Sequence, residues 1–219
     1  VAMYAPAIAA QFRTAPGQLE SALKIAGFAK VWEVAVGADI TAEKEAHEFE
    51  ERMERGDIMM TTSCCPAYVR AVHIHVPDLS PCISDTRSPM HYTAKLAKEE
   101  DPDCVAVFIG PCLAKRREGM DDEYVDYVLS VEEIGALFIA MNIDVAQQEH
   151  SEPEGKISPT ASARNFAVSG GVAESVRIRL KDPSILKPAV INGLNKIGMK
   201  QLAGYGKINV GKMPHSDST

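Results

Sequence analysis

An α/β fold of two lobes, each a mostly parallel twisted β-sheet flanked by helices, is predicted by three observations. Short apolar runs alternate with longer amphipathic stretches along the chain, the pattern of β–α–β units. The 219 residues suffice for one substantial core, or for two modest lobes sharing a site. The acidic, proline-containing stretch "KEEDPDC" (98–104) makes a seam, with lobe one over residues 1–98 and lobe two over 104–219.

Taken in order, "VAMYAP" reads as a strand and "GQLESALKIAGF" (17–28) as a helix with Leu19, Leu23 and Ile25 apolar. "KVWEVAV" (30–36) is strand-like. "ADITAEKEAHEFEERMERG" (38–56) is rich in good helix formers and closed by Gly56. "DIMMTTS" is the next strand, and "HIH" (73–75) reads as strand too. Residues 87–99 and 131–142 read as helices around the strand "CVAVFIG" (104–110), with "VDYVLSV" a further strand. "GGVAESVRIRL" is a helix entered through two glycines, and "LKPAVING" and "KIGMKQLAGYG" follow as strand and helix. Residues 144–163 are polar and patternless, hence a loop. The tail "GKMPHSDST" reads as an unfinished loop, and the opening reads as a buried strand, so the chain is expected to be a piece of a longer one.

A net charge of −7 argues against a nucleic-acid surface and against binding to anionic membranes. No apolar run approaches the ~20 residues of a membrane span. The odd count of five cysteines, without secretory features, fits thiols kept reduced in the cytoplasm.

Ligands of open parallel sheets sit at the carboxyl ends of strands. "DIMMTTS" ends at Cys64, Cys65 and Pro66, and "CVAVFIG" ends at Pro111 and Cys112. Converging thiolates suit an iron–sulfur cluster or zinc. Buried free cysteines also serve as small hydrophobes, and both readings stand. Lys115 and Glu118 follow Cys112; the lysine suits a charged hydrogen bond to an anionic group, or an exposed basic run. At 100° per residue, Glu45, Glu48 and Arg52 form one stripe on the helix from residue 38, beside an apolar stripe of Ala46, Phe49 and Met53. Carboxylates bordering a buried face can have raised pKa values and pass protons; the alternative is a surface ion-pair ladder. "VSGGVAES" is no P-loop, and close backbone packing is the usual reason for its paired glycines.

Together, "TTSCCPAYV", "ISDTRSP", "IGPCLAKRRE" and "FAVSGGVAES" resemble the catalytic domain of iron-only (FeFe) hydrogenases. The resemblance implies an H-cluster in a cleft between two lobes: a 4Fe–4S cubane joined to a diiron unit carrying CO, cyanide and a dithiolate. It implies that Cys65 and Cys112 are cubane ligands and that Cys64 is a free thiol passing protons to the diiron unit. Glu45, Ser84, Glu48 and Arg52 fall on the family's proton route. Lys115 matches the lysine that holds a cyanide, and Glu118 the acid closing that motif. Pro111, Ala7, Gly110, Met90 and Phe166 fall on cofactor-contacting positions. Three of these depart from the family: Gly110 stands for methionine, Ala7 for serine and Met90 for glutamine. The family's third cysteine motif is absent, so the chain by itself is expected to lack the complete cluster and to be inactive. The implied partners are ferredoxin or another low-potential electron carrier, and maturation proteins. The resemblance carries two alternatives to turnover: a dihydrogen sensor, and an iron–sulfur assembly factor without the diiron unit.

Overall fold

The computed structural model describes residues 1–12, 15, 17–152 and 157–209. The expected tail and the middle of the expected polar loop lie outside them. Four short strands, β1 (Ala2–Tyr4), β2 (Val31–Glu33), β3 (Val107–Ile109) and β4 (Tyr127–Leu129), form one parallel sheet in the order β2-β1-β3-β4. Register is set by Ala2 opposite both Val31 and Val107, and by Val107 opposite Tyr127. The α/β prediction holds. The seam does not divide two sheets, because strands from both sides of residues 98–104 pair directly. The Val1 amino group donates to the Val105 carbonyl at 2.7 Å, tying the first strand to the one beyond the seam.

Helices in chain order are α1 (Ala9–Phe12), α2 (Gln18–Ile25), α3 (Ala35–Arg55), α4 (Pro66–His75), α5 (Pro89–Glu100), α6 (Ala114–Met120), α7 (Val131–Ala140), α8 (Ala161–Arg164), α9 (Gly171–Arg177) and α10 (Lys196–Asn209). The two-residue period of a strand sends alternate side chains to opposite faces. Ala2, Tyr4, Val31, Val107 and Ile109 pack with Leu19 and Leu23 of α2 and with Ile134 and Phe138 of α7. Met3, Trp32 and Phe108 pack the other way, with Met90, Ala94 and Ala97 of α5. The long α3 packs against α5, α8 and α9.

Local chemistry explains the element ends. Gly56 closes α3 at φ 94°, a conformation that favours glycine. Ser130 opens α7 through a capping box: its hydroxyl accepts from the Glu133 amide at 3.2 Å, and the Glu133 carboxylate accepts from the Ser130 amide at 2.8 Å. Ser130→Ala should therefore cost about 1 kcal/mol and lower the melting temperature by roughly 2–4 °C. Thermal unfolding followed by circular dichroism checks this. At Gly171 an added Cβ would stand 1.7 Å from the Asn165 carbonyl, so close approach is indeed what this glycine permits.

Three expected strands are absent. Residues 57–63 make only an isolated parallel bridge, Thr61 to Ile83. The run cannot extend that pairing because the Ser63 amide is spent on the Glu45 carboxylate at 3.1 Å. "HIH" lies in α4, whose start is favoured by Pro66 at its first turn, and His73 and His75 are exposed. Residues 186–193 form no strand; Ile191 packs on the cluster of Val72, Val76, Leu79 and Leu202 instead.

Candidate functional site

Because the sheet is parallel, all four strands end at the same edge. β3 runs through Gly110 and Pro111 to Cys112, just ahead of α6. Cys65 caps the start of α4, with Cys64 before it. α4 packs against α6. Lys115 of α6 joins the two helix starts: its Nζ donates to the Cys64 carbonyl at 3.3 Å and to Glu118 Oε2 at 2.7 Å. The Ser88 hydroxyl donates to the other Glu118 oxygen. The buried ammonium thus has fixed partners for two of its three protons.

Cys82 and Cys104 do not join this site. Cys82 is wholly buried among Val72, Val76 and Leu79, and Cys104 precedes β3, at the opposite edge of the sheet from Cys112. An iron–sulfur cubane takes four cysteines. Cys65 and Cys112 would be two of that set. Among the described residues, no group of three or more His, Cys, Asp or Glu side chains is placed to hold a metal ion.

A polar chain leads away from Cys64. Thr62 Oγ1 lies 3.3 Å from Cys64 Sγ and 2.8 Å from Glu45 Oε1. Glu45 is 1% exposed. Burial raises its carboxyl above the ordinary value, outweighing the Ser63 amide and Thr62 hydroxyl that pull it down. Burial likewise pushes the Cys64 thiol up to about 12, with the neighbouring Glu45 adding to it. The thiol therefore keeps its proton at neutral pH.

One helical turn on, Glu48 is held differently. Its Oε1 accepts from Arg52 Nε at 2.8 Å and from the Asp85 amide at 3.0 Å. Its Oε2 accepts from Ser84 Oγ at 2.5 Å and from Thr86 Oγ1 at 3.1 Å. Burial raises this carboxyl too, but the Ser84 hydroxyl, the Asp85 amide, Arg52 and Thr86 outweigh it and hold the group below its ordinary value. Arg52 also donates to the Pro81 carbonyl at 2.9 Å and the Ile83 carbonyl at 3.0 Å. The charged stripe read from helix periodicity thus faces the interior: Arg52 is 6% exposed. Ser63 stitches the two carboxyls' surroundings, its amide on Glu45 and its hydroxyl on the Thr86 carbonyl.

The structure brings together Cys64, Glu45, Ser84, Glu48, Arg52, Lys115 and Glu118 through these bonds. Ala7 and Phe166 sit in short 3-10 helices, Pro6–Ile8 and Asn165–Ala167, that pack against each other. Pro111 is exposed. Met90 is wholly buried in the apolar cluster with Met3, Trp32 and Phe108. At Gly110, an added Cβ would meet the Phe108 ring at 2.8 Å, so that ring occupies the space of a longer side chain. Sequence reasoning missed Thr62, Ser63, Thr86 and Ser88. Their only signal was position, inside the "TTSCC" and "ISDTRSP" stretches.

Fold and site define an α/β domain that presents thiols near the carboxyl edge of its sheet, beside two hydrogen-bonded carboxyl groups, one of them buried. The family model for the C-terminal domain of the iron-only hydrogenase large subunit matches residues 1–212, and the chain belongs to that family. It is 32% identical over 178 residues to the periplasmic [Fe] hydrogenase large subunit of Nitratidesulfovibrio vulgaris, covering 73% of this chain and 42% of that protein. Iron hydrogenase 1 of Clostridium pasteurianum is 29% identical over 185 residues, 76% of this chain and 32% of that one. A solved structure of [FeFe]-hydrogenase HydA1 from Chlamydomonas reinhardtii superposes with a TM-score of 0.69 at 27% identity, over 81% of this chain and 52% of that one. The chain thus spans about half or less of the relatives it matches.

Proposed function

We propose that this chain is the cluster-cradling part of a hydrogenase, an oxidoreductase interconverting protons, electrons and dihydrogen. The observation that carries this reading is the Cys64–Thr62–Glu45 contact set, in which the thiol beside Cys65 is joined through one hydroxyl to a buried carboxyl. Bound between Cys65 and Cys112, an H-cluster of a 4Fe–4S cubane and a diiron unit would supply the electron and dihydrogen chemistry. The chain's own residues do the rest. Lys115, fixed by Glu118 and the Cys64 carbonyl, offers a positioned cation for an anionic cluster ligand. Cys64 holds a proton at Sγ, and Thr62 Oγ1 carries it toward Glu45. Cys65 and Cys112 would be two of the four cysteines a cubane takes.

The reading takes ferredoxin or another low-potential carrier as electron partner, and maturation proteins as the source of the cluster. It takes the compartment to be cytoplasmic, in keeping with five cysteines outside any disulfide. Among the described residues, no helix is long and apolar enough to cross a membrane. A second reading, an iron–sulfur assembly factor, draws on 29% identity over 111 residues to the cytosolic Fe-S cluster assembly factor NAR1 of Kluyveromyces lactis. The filled space at Gly110 favours a third, a dihydrogen sensor of low turnover.

The test is reconstitution of the chain, completed with its missing cluster ligands, by the maturation machinery. Dihydrogen evolution from a strong reductant is expected, and Cys64→Ala should lower it by roughly 10²–10⁴-fold. Iron–carbonyl infrared bands should appear in both proteins. Equal activity of the two removes the thiol from the relay, and absent bands favour the assembly-factor reading.

A further inference from the structure

We propose that Thr86, rather than Arg52, is the outer end of the proton relay. This rests on the hydrogenase reading and adds to it a residue outside the family's route.

The two oxygens of Glu48 have separate duties. Oε1 carries the clamp: Arg52 Nε at 2.8 Å, Arg52 Nη2 at 2.7 Å and the Asp85 amide at 3.0 Å. None of these donors exchanges a proton in function, because an amide is fixed and a guanidinium stays charged at any working pH. Arg52 is moreover engaged at all three nitrogens, with Pro81 and Ile83 carbonyls taking the rest. It holds the carboxylate and the 81–85 segment in place. Oε2 is the working oxygen. It accepts two hydroxyls, Ser84 Oγ at 2.5 Å and Thr86 Oγ1 at 3.1 Å, and each of these has a proton to give and lone pairs to receive one.

The hydroxyls lie at different depths. Ser84 is 4% exposed, whereas Thr86 is half-buried. Together the five donors fill the roughly four lone-pair sites of a carboxylate. A solvent proton therefore cannot land on Glu48 without displacing a donor, and it enters through a hydroxyl instead. A solvent hydronium gives a proton to Thr86 Oγ1 and becomes water, as the Thr86 O–H bond breaks and its hydrogen passes to Glu48 Oε2. Once the Ser84 hydroxyl has turned its hydrogen from Glu48 toward the Glu45 side, Glu48 returns to carboxylate by giving that proton to Ser84 Oγ, and the Ser84 hydrogen passes on to the Glu45 end of the relay. One proton moves, each oxygen regains its starting state, and no electron is transferred. The charged and titratable groups facing Glu48 are Glu45, Arg52 and Arg55 on its own helix and Asp85 on the adjoining segment.

Thr86→Val removes the hydroxyl at nearly equal volume, and Thr86→Ser keeps it. In the chain itself, a carboxyl NMR titration should place the Glu48 midpoint higher in Thr86→Val and unchanged in Thr86→Ser. In the mature, cluster-bearing protein, Thr86→Val should lower dihydrogen evolution about tenfold or more, with Thr86→Ser restoring it and the iron–carbonyl infrared bands unaltered in both. An unmoved Glu48 midpoint, or Thr86→Val turning over like the unsubstituted protein, overturns the proposal. Failure of the unsubstituted protein to evolve dihydrogen sinks the hydrogenase reading and the outlet with it. A silent Thr86→Val sinks the outlet alone.

Discussion

Glu45→Gln should both silence the relay and make the protein more stable at alkaline pH. The amide keeps an oxygen for the Thr62 hydroxyl and the Ser63 amide, which now meet Oε1 at 2.8 and 3.1 Å. It cannot take up and release a proton, so dihydrogen evolution by the mature protein should fall by roughly 10²–10⁴-fold. The stability effect follows from linkage. Burial raises the folded carboxyl of Glu45 above its unfolded value. Between those two values the folded state binds the extra proton, so its stability declines as pH climbs through that window. Glutamine carries no charge to bury and escapes the decline. Melting temperatures measured across pH should show a gain for Glu45→Gln that is largest in alkaline buffer and shrinks in acid. A parallel pair of curves would mean that Glu45 titrates as an ordinary surface acid.

Arg52→Met should destabilise the fold by roughly 3 kcal/mol, or about 6–12 °C in melting temperature. Methionine fills much of the volume, yet it leaves the Glu48 carboxylate without its cation and the Pro81 and Ile83 carbonyls without their donor. Side-chain exposures of 8% for Arg52 and 17% for Glu48 keep solvent from making good the loss. The pH response has the opposite sign from that of Glu45. Glu48 is held below its ordinary value in the folded state, so its contribution is present above the unfolded value and is lost as acid titrates the folded group. Arg52→Met should flatten that acid limb. Urea unfolding at several pH values checks both magnitude and slope. A cost near zero would show that the pair is no more than a surface ladder.

Much of this was legible in the sequence where periodicity or a rigid residue governs. The stripe of Glu45, Glu48 and Arg52 needed only the helical repeat, and it faces inward as the neighbouring Ala46 and Phe49 required. The strand ahead of Cys112 and the helix opening after Ser88 were visible for the same reason. The misreadings lie where a single tertiary bond overrides a local pattern. Residues 57–63 look like a strand, but the Ser63 amide turns to Glu45 and the pairing stops after one bridge. Thr62 and Thr86 escaped notice because hydroxyl residues are common, and only contacts across 17 and 38 positions of chain give these two a role. The seam at 98–104 looked like a boundary because charge and proline mark linkers, whereas here they mark the turn from α5 into a central strand of the shared sheet.

Phe108 and Gly110 are one design decision distributed over two codons. With the ring only 2.8 Å from where a Cβ would stand, bulk introduced at the glycine must push the Phe108 ring aside. Trimming alone would hollow out the apolar layer beneath. A thioether wall there thus asks the ring and the glycine to change together. Engineers grafting catalytic features from longer-studied enzymes onto this scaffold must move the two sites in step.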